Sequence, residues 1–195
     1  MQIDIKKAAT RISGQVLQTP LFYSKYLSAL NKGQVYLKLE SEQYTGSFKA
    51  RGALNKMLGL SSSEKAKGLI TASTGNHAQG FARALEIANA EGTIFLPTNA
   101  EASKVEALKA YKVGLKFHGT DALTTELYAM KFARASGQTW ISPYNDSEVI
   151  AGQGTLALEM TSQLASIDAV LGCIGGGGMM SGVATWLHQA SPKTK

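Results

Sequence analysis

Short apolar runs rich in β-branched and aromatic residues alternate with longer segments of helical period along most of the chain, and this alternation limits the fold more than any other feature. The runs predict strands over Val35–Glu40, Leu69–Ala72, Thr93–Leu96, Val113–Phe117, Thr139–Ser142 and Ala169–Ile174. The segments between them predict helices over Ser47–Leu58, Asn76–Asn89, Ala102–Tyr111, Ala122–Ala135, Glu148–Leu164 and Gly178–Gln189. In the fourth helix Leu123, Leu127, Met130 and Ala133–Arg134 recur at helical spacing and mark an apolar face, with Asp121 as its N-cap. Strand and helix in regular succession imply an α/β fold: an open, mostly parallel sheet with helices on both faces. Ligands of such a sheet sit at the carboxyl ends of its strands, so the loops leaving the strands carry the function.

A chain of 195 residues, 44% of them hydrophobic, can bury a core of this kind. The net charge of +6 comes from scattered lysines such as Lys65, Lys67, Lys104 and Lys112, with no basic stripe interleaved with aromatics. It reads as a solvated surface, not as a nucleic-acid groove. The lone Cys173 cannot form an internal disulfide and lies in the apolar run "DAVLGCI", which predicts a small buried thiol and a reducing compartment. The start "MQIDIKKAATRISG" has no continuous apolar core, and no segment reads as a membrane span. A soluble, cytoplasmic protein is expected.

Three loops carry chemistry. In "CIGGGGMMSG" a predicted strand runs through Gly175, Gly176, Gly177 and Gly178 into a helix near Met179. Such a run exceeds what a turn requires and suits backbone N–H groups closing on a phosphate at a helix N-terminus. The glycine spacing is not that of a dinucleotide site, no Gly-Lys-Ser or Gly-Lys-Thr follows, and no metal ligand set stands beside it, so a single phosphate ester is the expected anion. In "TASTGNHAQG" Ser73, Thr74, Gly75 and Asn76 leave a strand and open a helix, where they either cap that helix or hold a carboxylate, and His77 is equally open to a structural role. In "TGSFKARGA" Lys49 sits at a helix start. Alone it also reads as a surface lysine, but burial, a nearby Arg51 and the helix N-terminus together would lower its pKa and leave an amine able to form a Schiff base.

Taken together and in this order, "KLESEQYTGSFKARGA", "STGNHAQG", "VIAGQGT" and "GGGGMMSG", with "QTPL" upstream, resemble the serine/threonine dehydratase and serine racemase family of pyridoxal-phosphate enzymes. The resemblance implies the tryptophan synthase β-like fold, a three-layer α/β arrangement. It implies a large cofactor domain, incomplete here, formed by residues 1–68 and 146–195, and a small domain of residues 69–145. It also implies roles. Lys49 would carry pyridoxal 5'-phosphate as a Schiff base, with Phe48 against the cofactor and Asn76 on its ring oxygen; Gly175, Gly176, Gly177, Gly178 and Met179 would form the phosphate cup. Ser73, Thr74, Gly75 and His77 would hold the substrate carboxylate. The implied activity is dehydration and deamination of L-threonine or L-serine to a 2-oxo acid and ammonia.

Departures from the family pattern bear on that activity. Thr74 stands where racemising members have serine and many dehydratases alanine, and Ser142 in "SPYND" stands where many relatives have histidine. β-Replacement of the cysteine synthase type is a further alternative, although that family has threonine after its Gly-Asn pair, where this chain has His77. Family members also continue well past "WLHQASPKTK". The expectation is a shortened large domain, completed by a homo-oligomer or a complementing chain, or else a catalytically impaired remnant that binds the cofactor.

Overall fold

The computed structural model describes residues 3–195. The chain opens with α1 (Ile5–Ile12), whose N-cap Asp4 accepts a hydrogen bond from the Lys7 N–H and whose Ile5, Ala8 and Ile12 are buried. A two-stranded antiparallel hairpin follows, β1 (Leu21–Tyr23) and β2 (Tyr36–Lys38), with α2 (Lys25–Asn31) between its strands. A 3₁₀ turn at Glu40–Glu42 leads to α3 (Lys49–Gly59) and the short α4 (Ser62–Ala66).

The alternation then runs as the sequence predicts through β3 (Leu69–Ala72), α5 (Asn76–Ala88), β4 (Gly92–Leu96), α6 (Ala102–Lys109), β5 (Gly114–Phe117), α7 (Ala122–Ser136) and β6 (Thr139–Trp140). The four strands form a wholly parallel sheet in the order β5-β4-β3-β6. Strand β3 is central and buried along its full length, as a strand covered on both faces must be. Because successive side chains of a strand point to opposite faces, Leu69, Ile94 and Leu96 join Phe81 and Leu85 of α5 in one core, while Ile70, Ala72 and Phe95 join Ala129 and Ala133 of α7 in another. This is the α/β fold with helices on both faces.

Two long helices close the chain, α8 (Ser147–Gln163) and α9 (Gly178–Ala190). The glycines of "VIAGQGT" set their spacing. A Cβ on Gly152 would lie 2.6 Å from Gly52 Cα and 2.7 Å from the Arg51 carbonyl oxygen, so α8 rests on α3 backbone to backbone. A Cβ on Gly182 of α9 would lie 2.6 Å from the Gly154 nitrogen, so α8 meets α9 in the same way. Two residues of α8 therefore fix the helix that begins at Lys49 and the helix that follows the glycine run.

Three sequence expectations are corrected. The run Ala169–Ile174 forms no strand; its recorded backbone partner is the last residue, with the Val170 N–H donating to Lys195 O. Among the described residues no neighbouring strand lies beside it, and Leu171 and Ile174 are 93% and 73% exposed. For the same reason Cys173 is exposed instead of buried. On α7 the buried face is Thr125, Ala129 and Ala133, whereas Leu123, Leu127 and Met130 point to solvent. The spacing identified a helix but chose the wrong side: β3 and β4 approach the face of small residues, which lets the helix sit close to the sheet. Asp121 does cap α7, accepting from the Thr124 N–H.

Candidate active site

Helix α3 begins at Lys49 itself, after a turn in which Gly46 takes φ +66° and the Ser47 hydroxyl accepts a hydrogen bond from the Lys49 N–H at 3.4 Å. The Lys49 ammonium donates to the Pro143 carbonyl at 2.6 Å and lies 5.4 Å from the centroid of the Phe48 ring. Phe48 packs against the apolar cluster of α8 and α9 that contains Leu156 and Val183. Burial holds the Lys49 pKa below its usual value, opposed by the negative charge of Glu126.

Arg51 has a different part from the one expected of it. It stands two positions along α3, on the opposite side of the helix from Lys49. Its fully buried guanidinium is met by two carboxylates, donating to both oxygens of Glu40 at 2.8 Å and to those of Glu159 at 2.6 and 2.9 Å. Lys38 joins the cluster through Glu159 at 2.6 Å and the Thr19 carbonyl at 2.7 Å. With its charge matched there, Arg51 ties the N-terminal segment, α3 and α8 together and contributes nothing to the depressed pKa of Lys49.

The loop leaving β3 faces the lysine. Lys49, Ser73, Thr74, Asn76 and His77 line a single cavity of about 270 Å³, together with Glu126 and Tyr144. The Ser73 hydroxyl accepts from the Gly75 N–H at 3.2 Å, which shapes the loop into the start of α5. The Asn76 side chain is exposed and has no hydrogen-bond partner among the described residues. His77 turns inward: it is 2% exposed and its Nε2 lies 3.0 Å from the Thr71 hydroxyl. That hydroxyl spends its one proton on the Ile141 carbonyl at 2.8 Å, so the imidazole must donate through Nε2–H and leave Nδ1 as a bare acceptor, which has no partner among the described residues. Burial, and then the charge of Lys49, push the His77 pKa down to about 3, so the ring is neutral at physiological pH.

The glycine run does not line this cavity; Tyr144 connects the two. A Cβ on Gly176 would come within 2.6 Å of the Tyr144 ring, and one on Gly178 within 2.6 Å of its carbonyl oxygen. Gly175 and Gly177 face open space, and Gly177 takes φ +82°. From Gly175 to Met180 no backbone N–H finds an acceptor among the described residues, because the first capping bond of α9 runs from Ser181 to Gly177. Six unpaired donors at the start of a helix, with two glycines open above them, fit a phosphate ester.

Sequence reasoning missed Tyr144, Glu126 and Pro143. "SPYND" follows a strand of the parallel sheet, which was signal enough to inspect it. Glu126 lies inside α7, and nothing in its spacing announces it. No helix among the described residues is long and apolar enough to cross a membrane.

Comparison with known proteins gives consistent results. A family model described as pyridoxal-phosphate dependent enzyme matches residues 12–195. A catabolic L-threonine dehydratase of Staphylococcus aureus is 43% identical over 190 residues, covering 97% of this chain and 55% of that protein. Among solved structures, the processed form of threonine deaminase isoform 2 from Solanum lycopersicum superposes with a TM-score of 0.93 at 36% identity, covering 98% of this chain and 53% of the other. Serine racemase from Dictyostelium discoideum superposes with a TM-score of 0.91 at 32% identity, covering 98% and 62%. The chain thus spans about half the length of the curated relatives it matches.

Proposed function

The chain belongs to the pyridoxal-phosphate dependent enzyme family, and from that premise we propose that its site eliminates the β-hydroxyl of L-threonine or L-serine and releases ammonia and a 2-oxo acid. The observation that carries the reading is the half-buried Lys49 amine, held by the Pro143 carbonyl at the wall of a cavity shared with Ser73, Thr74 and Asn76. When bound, the cofactor would supply an electron sink for the negative charge that develops at the substrate Cα.

In this reading the residues divide the work. The N–H groups of Gly175, Gly176, Gly177, Gly178 and Met179 would hold the cofactor phosphate, with Phe48 and the amide of Asn76 as the residues that would hold its ring. Ser73, Thr74 and Gly75 hold the substrate carboxylate at the start of α5, where unpaired N–H groups favour an anion. Buried and neutral, His77 braces the loop through Thr71 and offers no positive charge to the carboxylate. Lys49 would hold the cofactor through its amine and would take the proton at the substrate Cα; its lowered pKa leaves more of the amine neutral for both tasks.

The test is direct. Purified protein saturated with pyridoxal 5'-phosphate should show the visible absorbance of lysine-bound cofactor, lose it in Lys49→Ala, and release 2-oxo acid from L-threonine or L-serine. Absence of both signals would overturn the reading. A second reading, a chain that holds the cofactor without turnover, draws on the exposure of Leu171 and Ile174 beside the glycine run. Absorbance without 2-oxo acid would select it.

The same proposal divides the chain into a large part, residues 1–68 and 146–195, and a small part, residues 69–145, which contains the four-stranded sheet. It takes the protein as cytoplasmic, with support from the single cysteine. It also takes the protein as associating with copies of itself or with a complementing chain, supported by the exposed apolar side chains Phe22, Tyr26 and Leu30.

A further inference from the structure

Among the residues lining the cavity, only Lys49 and Glu126 carry formal charge, because His77 is neutral. Glu126 projects from α7, and one of its oxygens, Oε1, accepts the Tyr144 hydroxyl at 2.9 Å; the other has no partner among the described residues. Tyr144 in turn is wedged against Gly176 and Gly178, which fixes the carboxylate's only recorded partner to the glycine run. Glu126 is half-buried, so its charge is only partly screened by solvent. Lys49 serves the chemistry itself in the proposed reaction, which leaves Glu126 as the other charged side chain on the cavity wall. No arginine or second lysine lines the cavity to balance another anion.

We propose that Glu126 is a specificity-determining residue, which restricts the site to amino acids with a neutral hydroxyl-bearing side chain and rejects those with a second carboxylate. This rests on the lyase reading above and narrows its substrate class. A β-hydroxyl can donate to the free Glu126 oxygen, as Tyr144 does to the other, whereas a β-carboxylate would face a like charge with no arginine or second lysine among the described lining residues to offset it. The burial-lowered amine of Lys49 is consistent with this layout, since Glu126 is the one carboxylate whose charge reaches it.

The experiment titrates cofactor-loaded protein with L-serine and with L-threo-3-hydroxyaspartate, reading binding from the cofactor's visible spectrum and from calorimetry, with 2-oxo acid release measured separately. Serine should bind at least about tenfold more tightly than hydroxyaspartate, and Glu126→Gln should shrink that ratio by roughly tenfold, the scale of one like-charge contact at a partly exposed site. Tyr144→Phe leaves the charge in place and should keep the ratio at or above its original value. Equal binding of the two amino acids, an unchanged ratio in Glu126→Gln, or a ratio in Tyr144→Phe as low as in Glu126→Gln would overturn the proposal. Serine bound preferentially but never converted would sink the lyase reading and leave the role of Glu126 standing; equal conversion of both amino acids would do the reverse.

Discussion

The Lys49 ammonium donates to the carbonyl oxygen of Pro143 at 2.6 Å, joining residues 94 positions apart in the chain. Pro143 follows β6, and Lys49 opens α3, so the sheet's outer strand delivers the acceptor that positions the amine. With the amine held on a neutral carbonyl, burial outweighs the opposing charge of Glu126 and lowers its pKa.

Lys49→Met should abolish the visible absorbance of added cofactor while leaving the protein folded. Because burial disfavours the charged amine in the native state, the substitution should stabilise the protein at neutral pH. That gain should fade as the pH rises toward the ordinary lysine value of 10.5, where the amine loses its proton unfolded as well as folded. Denaturant titrations of both proteins across this range check it; a gain that grows with pH would contradict the burial of a charged amine.

His77 makes an acid-side prediction. With its pKa pushed from 6.5 to about 3, the unfolded chain binds a proton that the folded one refuses throughout that window. Stability should therefore fall as the pH drops below 6.5, by up to about 1.4 kcal/mol per pH unit from this group. In His77→Gln that contribution to the slope should vanish; an unchanged pH profile of the unfolding midpoint would mean that the ring is not buried neutral.

Arg51→Met should be among the costliest single changes in the chain, about 3–5 kcal/mol, since it strands Glu40 and Glu159 without their shared cation. Arg51→Lys should recover only part of this, because an ammonium cannot meet two carboxylates with paired donors. Equilibrium unfolding in urea measures both.

Gly175→Ala and Gly176→Ala separate two uses of the glycine run. A methyl at Gly175 meets open space and should leave stability within about 0.5 kcal/mol, whereas one at Gly176 must displace the Tyr144 ring. Overpacking there should cost about 1–3 kcal/mol. Tyrosine fluorescence and thermal unfolding report the difference; equal stability of the two variants would place Tyr144 elsewhere.

On α7, Leu127→Ser should change stability by less than about 0.5 kcal/mol, because Leu127 is 57% exposed. Ala129→Leu, on the face against the sheet, should cost about 1–3 kcal/mol. The reverse ranking would restore the face that the sequence spacing suggests.

Strand–helix alternation was legible from β3 to β6 because each element there carries its own period and each strand is covered by a helix encoded nearby. The N-terminal elements were equally marked, by Asp4 capping α1, Ser24 capping α2 and the Ser61–Glu64 capping box of α4, but such short helices offer too few turns for periodicity to stand out. The failure at Ala169–Ile174 has another cause: a run of strand-forming residues becomes a strand only beside a partner, and propensity carries no record of the partner. At the site, Lys49 and the glycine run were visible, whereas Tyr144 and Glu126 matter through a contact between the loop after β6 and helix α7 that no local spacing encodes.

The glycine contacts of α8 have a bearing on how this protein can vary. With Gly152 against α3 and Gly154 against α9, main-chain contacts at two glycines help set the distance from the Lys49 end of one helix to the glycine turn of the other. Drift in the hydrophobic interior thereby has less hold on the placement of the Lys49 amine relative to the glycine turn, and a single added methyl at either glycine would shift that placement at long range.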